Sequence, residues 1–330
     1  MQAINPRRAR IYRLFLILAA IEAIGIAVWA VVFPQSLFGL FGQEPRPGFL
    51  ALLQFIGAAD ALLGIAYAYS ALRLDRARLF IAVGLLAKIA VPIGWQLAVA
   101  GSQLTERTLT LIVFDDLVWW LPFGLFLLEG SRAGTKLRGL APYACAILNL
   151  LAAGALLLVL RPGTEVVPDA AQRVAYISGH ELLWSAGWAG WVAAALSLLA
   201  FYAWWGARLP RWRWTLTALL IAAAGMVFDL TAESLLIAWM PRDFGIVAPL
   251  ASLLTGGPGN GLYTVAGAIL TLATPQLKGW LRAVTWTIWA AGFGLSAFTF
   301  AGNFIGVAAC TGILFTLFCP WAVVFGRKLA

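Results

Sequence analysis

Five ionisable side chains lie inside apolar stretches that are long enough to cross a lipid bilayer. We call Glu22, Asp60, Lys88, Asp115 and Asp116 the Lys88 cluster. A charge at the centre of a bilayer costs about 2.5–3.5 kcal/mol, so five unpaired charges together cost roughly 15 kcal/mol. Pairing inside a helix bundle, protonation or a water-lined cavity relieves that cost. These five positions are therefore the first predicted substrate or ion site.

The Lys88 cluster contains four acids and one base at similar depths in four consecutive spans. Lys88 neutralises one carboxylate, so the others must be protonated, bound to a cation or hydrated. Asp115 and Asp116 diverge by about 100° on an α-helix, so only one of them is expected to face the cluster. Two interpretations stay open, a structural polar network and a site for a proton, a cation or a substrate.

A second polar group, the outer cluster, is expected at one membrane face. His180 and Glu181 open the sixth span, while Asp229 and Glu233 are four residues apart on one face of the seventh. Their ligand types suit metal binding or acid/base chemistry, but a structural network is equally open, and no resident metal is predicted. A tryptophan stripe continues from His180 and either lines a lipid or isoprenoid pocket or packs on a neighbour: Trp184, Trp188 and Trp191.

Sequence motifs identify no cofactor. The chain has no HExxH, CxxC, GxSxG, Walker or Rossmann pattern, so haem, nucleotide and standard zinc hydrolase chemistry are not expected. TGGPGNG at residues 255–261 has no following GKS or GKT, which favours a re-entrant or tight-turn loop over a phosphate site. Whether the protein is an enzyme stays open.

The composition predicts the elements that must position these residues. The chain is 62% hydrophobic and 11% charged, whereas soluble domains are about 45–50% apolar and 25% charged. Continuous apolar runs exclude barrel strands. We expect an all-α polytopic membrane protein with ten spans near residues 12–33, 49–71, 79–100, 108–128, 140–160, 176–205, 214–239, 260–274, 280–301 and 304–325.

Basic residues alternate between the loops and predict the topology. One side carries 17 of them, in the segments 7–13, 73–78, 132–138, 208–213, 278–282 and 327–328, whereas the other side carries Arg46, Arg107, Arg161, Arg173 and Arg242. The positive-inside rule then places both termini in the cytoplasm and the chain in the cell inner membrane. Membrane lipids, and not nucleic acid, are the expected partners of the positive charge. A membrane-complex partner or a homo-oligomer is a further expectation.

The polar segment EGSRAGTKLRG, residues 129–139, separates four spans from six. Its composition suits either a flexible linker or a plain loop between helices. We therefore predict a four-helix bundle in residues 1–134 and a six-helix bundle in residues 135–330.

Both halves resemble bacterial membrane proteins. Residues 12–129 resemble DoxX-like four-helix proteins through VFPQSLFGLFG, QFIGAADALLGIAYAYSAL, GLLAKIAVPIGW and FDDLVWWLPFGLFLL. Residues 140–330 resemble six-span proteins of unknown role through HELLWSAGW, FDLTAESL and LTGGPGNGLYTVAGAILTLATP. The DoxX-like resemblance implies an association with respiratory or thiol oxidoreductase systems. Neither resemblance implies a catalytic residue.

Three classes of function follow from these patterns. A proton- or cation-coupled transporter explains several buried carboxylates beside a lysine and is our first prediction. An intramembrane enzyme or binder for lipid, isoprenoid or quinone explains the outer cluster and its tryptophans. An accessory subunit of a respiratory or photosynthetic complex fits the short loops and the DoxX-like resemblance.

Overall fold

The computed structural model shows an α-helical protein and describes residues 4–40, 47–100, 104–105, 108, 110–240 and 243–329. Within these ranges there is no strand, and eight helices are long and apolar enough to cross a membrane. The prediction of an all-α, multi-pass membrane protein is confirmed. Three of the arginines that determined the predicted topology, Arg46, Arg107 and Arg242, lie outside the described residues.

The chain divides into two compact units, Met1–Lys136 and Leu137–Ala330. The predicted domain boundary after residue 134 lies two residues before this division. The segment that was expected to be a linker or a loop is instead a short helix, α7, at Arg132–Gly139. Its first turn is stabilised by Ser131, whose hydroxyl accepts the Gly134 amide hydrogen at 2.9 Å.

The first unit contains three continuous long helices and one interrupted helix. They are α1 (Pro6–Val32), α3 (Pro47–Leu72), α4 (Ala77–Ala100), and a last helix formed by α5 (Thr110–Ile112), a wide π turn (Val113–Leu117) and α6 (Val118–Leu127). Short α2 (Pro34–Leu40) follows α1. Asn5 begins α1 by accepting the Arg7 amide hydrogen at 3.0 Å, with Pro6 at the first helical position.

Small residues bring α1 and α3 into close contact. A Cβ added at Gly57 would lie 2.8 Å from Ala30 Cβ, and one added at Gly64 would lie 2.8 Å from Ile24 Cγ1. Glycine is needed at both points because any side chain would push the helices apart. The acidic residue between the two glycines, Asp60, is thereby held near α1.

Glu129 connects several helices at one end of the first unit. Its carboxylate accepts a hydrogen bond from Tyr12 Oη at 2.8 Å and pairs with Arg8 Nη2 at 3.1 Å. Arg78 of α4 donates to the Glu129 carbonyl oxygen at 2.8 Å. This residue, only 6% exposed, therefore connects α1 and α4 to the end of α6.

The second unit contains the remaining helices. Its first long helix is α8 (Ala141–Ala155), which continues through a π turn at Leu156–Leu160. The others are α9 (Ala170–Gly179), α10 (Glu181–Gly206), α11 (Trp212–Ala238), α12 (Phe244–Leu254), α13 (Asn260–Leu272), α14 (Gly279–Phe300) and α15 (Phe304–Leu329). The predicted sixth span began at residue 176, but the helix breaks at His180, between α9 and α10.

The TGGPGNG segment is helical, so the prediction of a re-entrant or tight-turn loop was wrong. A π turn at Thr255–Gly259 connects α12 directly to α13. Packing on α14 explains the glycines, because a Cβ at Gly257 would lie 3.0 Å from the Phe300 ring. Pro258 has no amide hydrogen for a regular α-helical bond, and the wide turn accommodates it.

Hydrogen bonds to threonines explain how three tryptophans of the second unit can be buried. The indole nitrogens of three tryptophans donate to threonine hydroxyls at 2.8–2.9 Å in the pairs Trp205–Thr274, Trp289–Thr271 and Trp321–Thr285. Each bond satisfies a polar N–H that would otherwise be buried in an apolar core. Two of these pairs link consecutive helices, α13 to α14 and α14 to α15, and the third links α10 to the end of α13.

We expect Glu129→Ala to destabilise the protein by about 2 kcal/mol, because it removes a charged hydrogen-bond acceptor from Tyr12 and Arg8. Reversible unfolding in mixed micelles measures this loss. Asp75→Ala is the matched control, since the Asp75 side chain is 68% exposed and lies 3.9 Å from Arg76. Its effect should stay within about 0.5 kcal/mol. Equal losses in both variants would contradict the proposed role of Glu129.

Candidate functional site

Lys88 lies at the centre of the polar site in the first unit. Its side chain is buried, and Nζ contacts the Asp115 carboxylate. The same nitrogen lies 3.8 Å from Glu22 Oε2 and 3.9 Å from Asp60 Oδ1. The structure thus brings together side chains from α1, α3, α4 and the π turn of the interrupted helix.

The positive charge of Lys88 is shared unequally among these acids. Asp115 takes the direct contact, whereas the 3.8 and 3.9 Å separations to Glu22 and Asp60 are longer than hydrogen bonds. Both Glu22 carboxylate oxygens, Asp60 Oδ2 and Asp116 Oδ1 are buried and have no hydrogen-bond partner among the described residues. The site therefore has more acceptor oxygens than its single lysine can satisfy.

The two adjacent aspartates occupy different positions in the site: Asp115 contacts Lys88, as was expected of one of them, and Asp116 borders the adjoining cavity. Asp115 and Asp116 both border the cavity beside Lys88. They lie in the π turn Val113–Leu117, whose backbone is wound more widely than an α-helix. The wider winding reduces the angle between successive side chains. The prediction assumed regular α-helical geometry, which this segment does not have.

The carbonyl group of Lys88 accepts a hydrogen bond from a side chain in place of the usual backbone hydrogen bond of the helix. Pro92 is four residues later in α4 and has no amide hydrogen to donate to the Lys88 carbonyl. Trp120 Nε1 of α6 donates to that carbonyl oxygen at 2.8 Å. The proline therefore allows a contact between α4 and α6 at the residue that carries the charge.

A cavity of about 220 Å³ adjoins the cluster. Asp60, Lys88, Asp115 and Asp116 border it, and the rest of its lining is mainly apolar. Trp29 and Trp95 also line the cavity, and their indole N–H groups donate to Ser36 Oγ at 2.7 Å and Thr108 Oγ1 at 2.8 Å. Trp95 follows Lys88 by seven residues, so the cavity extends about 10 Å along α4.

Tyr67 is part of this site and was missed by the sequence analysis. It is completely buried, its ring packs on Phe123 at 5.0 Å, and its hydroxyl has no hydrogen-bond partner in the part of the chain that the structure describes. It lies against Gly84, one turn before Lys88, where a Cβ would overlap the tyrosine ring. A signal was available, because Tyr67 follows Asp60 by seven residues and so shares its face of α3.

The outer cluster does not assemble as predicted. His180 and Glu181 are exposed, and the His180 ring stacks on Tyr176 at 4.6 Å. Asp229 and Glu233 are instead buried, because α11 presents them to the π turn and α13. The break between α9 and α10 leaves His180 at an exposed corner. Among the described residues, no three His, Cys, Asp or Glu side chains are arranged to hold a metal ion.

The predicted tryptophan stripe packs in the core of the second unit. Trp184 Nε1 donates to the Leu236 carbonyl oxygen of α11 at 2.7 Å. The ring centroids of Trp184 and Trp188 are 5.6 Å apart. The ring of Trp191 lies 6.1 Å from that of Trp188 and 5.5 Å from that of Phe315. Of the two open interpretations, the contacts favour packing on neighbouring helices over the wall of a lipid pocket.

We expect Lys88→Met to destabilise the protein by about 3–5 kcal/mol, because it leaves buried carboxylates without their positive partner. Adding Asp115→Asn should recover about 0.5–3 kcal/mol of that loss. Unfolding in mixed micelles measures both effects, and Lys136→Met is the control because Lys136 is exposed. Strictly additive losses would show that Lys88 and Asp115 do not interact.

Comparison of the chain with known proteins identifies no relative. No family model, no characterised protein and no solved structure matches it. The resemblance of residues 12–129 to DoxX-like proteins therefore stays a prediction.

Proposed function

We propose that this protein is a proton- or cation-coupled membrane transporter whose coupling site is the Lys88 cluster. One observation carries the proposal: a cavity of about 220 Å³ adjoins a lysine that is surrounded by more carboxylates than it can neutralise. Further positive charges, as protons or small cations, compensate the surplus. Coupling ions commonly bind at such intramembrane acids.

The unequal contacts of Lys88 suggest how binding changes the site. Lys88 is held by Asp115, while Asp60 and Asp116 each keep an oxygen without a hydrogen-bond partner at the cavity. A cation entering between these two aspartates meets oxygen ligands that no other group occupies. Its charge then competes with Lys88 for Asp60, so that binding alters the contacts between α3 and α4.

The two ends of the Lys88 cluster differ, and this difference suits the entry of an ion from one side of the membrane. The cavity extends toward Trp29 and Trp95, whereas Tyr67 and Phe123 pack against each other on the opposite side of Lys88. Under the proposed topology, with both termini cytoplasmic, the tryptophans lie toward the outside. The π turn that carries Asp115 and Asp116 is a natural point for the rearrangement that exchanges access.

The proposed ten crossings combine the eight candidate spans with two further helices that are interrupted. The interrupted helices cover residues 110–127 and 244–272, and each contains a π turn near a proline. Discontinuous helices are a common feature of transporters at their binding sites. An even number of crossings keeps both termini on the side of the basic loops, in the inner membrane.

The apolar walls favour a second candidate, a binder of a quinone or an isoprenoid. Ile26, Leu63 and Val91 contribute hydrocarbon surface beside the charged groups. Such a ligand would place its polar group near Lys88 and its tail along the walls. Lipid extraction and mass spectrometry of the purified protein test this candidate, which requires a stoichiometric ligand that is lost in Trp95→Ala.

Charge movement on a solid-supported membrane tests the transporter proposal. Reconstituted protein should give a transient current after a pH jump or a Na⁺ jump, because an ion enters the membrane field at the cluster. We expect Asp60→Asn and Asp116→Asn each to reduce this current at least about tenfold, as one removed carboxylate weakens ion binding by several kcal/mol. Asp75→Asn, an exposed carboxylate in the same unit, should leave it unchanged.

Two results would overturn the proposal. One is the absence of any current above that of protein-free membranes after either jump. The other is a wild-type current that both cluster variants retain in full. Folding of each variant is checked by its elution profile and unfolding midpoint, so that a lost current is not mistaken for a lost fold.

A further inference from the structure

A buried acidic pair in the second unit has no basic partner. Glu233 is 1% exposed and Asp229 is 7% exposed, and both lie on the same face of α11. Within the described ranges, no lysine, arginine or histidine forms an ion pair with either carboxylate. An uncompensated charge at this depth is strongly unfavourable, so the pair requires a positive charge from outside the chain.

Other oxygen atoms converge on the same place. The Thr255 hydroxyl donates to Asp229 Oδ1, and Tyr263 Oη lies close to the Asp229 carboxylate without completing a hydrogen bond of good geometry. Both carboxylate oxygens of Glu233 are also buried, and no described residue forms a hydrogen bond with them. A glutamate that is buried with both carboxylate oxygens unpaired among the described residues indicates a ligand, because native proteins satisfy almost all such groups.

The backbone holds these oxygens in position. A Cβ added at Gly225 would lie 2.9 Å from the Gly259 carbonyl oxygen, and one at Gly259 would lie 3.5 Å from the Asp229 amide nitrogen. The π turn therefore rests directly on α11 at the acidic pair. On the far side, Tyr202 Oη of α10 donates to the Tyr263 carbonyl oxygen at 3.0 Å and fixes α13.

We propose that Asp229 and Glu233, together with Thr255 and Tyr263, form a second cation-binding site that takes a proton or Na⁺. Both ions supply a compact positive charge that carboxylate and hydroxyl oxygens hold. The titratable groups facing the pair are Tyr263 of α13 and, behind it, Tyr202 of α10, and neither supplies a positive charge. Calcium is disfavoured, because it takes six to eight oxygen ligands.

This site is independent of the proposed coupling site. The Lys88 cluster lies wholly in the first unit and contains its own lysine, whereas the acidic pair belongs to the second unit and has none. A second cation site gives the protein either a second coupling ion or an ion that stabilises the fold of the second unit. Neither role requires the Lys88 cluster to transport anything.

Infrared spectroscopy and thermal unfolding of the purified full-length protein test the second site. At pH 7 without Na⁺, we expect a buried carboxylic acid band that disappears in Glu233→Gln. Glu181→Gln is the matched control, because Glu181 is exposed in the same unit, and it should keep the band. Loss of the band in the wild-type protein on Na⁺ addition, with a saturable rise in Tm, identifies Na⁺ as the occupant. A band unaffected by Na⁺ identifies the proton.

The proposal is overturned if neither Glu233→Gln nor Asp229→Asn changes any carboxylic acid band and the wild-type Tm does not respond to Na⁺ between pH 6 and pH 9. The two substitutions provide separate tests should one variant fail to fold. The wild-type Na⁺ titration requires no variant. Signals from the Lys88 cluster are separated by repeating the experiment in Asp116→Asn, which should retain the band assigned to Glu233.

Discussion

The contact between Lys88 and Asp115 is the interaction on which the first unit depends. It places one positive charge among four acids in surroundings where an unpaired charge costs several kcal/mol. Helix packing follows from it, because α1, α3, α4 and the interrupted helix must all reach the same nitrogen. Gly57 and Gly64 allow α3 to approach α1 closely, and Asp60 between them lies 3.9 Å from that nitrogen.

Much of the fold could be predicted from the sequence, because membrane insertion restricts backbone geometry more than soluble folding does. The lengths of the apolar runs predicted most of the spans. Counting residues inward from the end of each span correctly grouped Glu22, Asp60 and Lys88 at one depth. Side-chain direction was harder to predict. Asp116 borders the cavity from within the π turn of residues 113–117, and no residue pattern distinguishes that turn from an α-helix.

The outer cluster shows where reasoning from spacing reaches its limit. His180 was assigned to a continuous sixth span, and helical spacing then aligned it with Trp184. The helix instead begins at Glu181, and His180 stacks on Tyr176 at an exposed turn. Asp229 and Glu233 were correctly placed on one face of α11, since their spacing lies within a single uninterrupted helix. Periodicity is reliable inside a helix and fails across a break.

Acidic residues and wide helical turns occur together in both units. In the first unit, Asp115 and Asp116 lie within the π turn, whereas in the second unit the turn packs against Asp229. A regular α-helix uses all its backbone groups internally and presents neighbouring side chains in different directions. A π turn relaxes both restrictions, so polar groups can converge without exposing the backbone to lipid. This shared geometry helps a chain that is 62% hydrophobic to accommodate two dense groups of oxygen atoms.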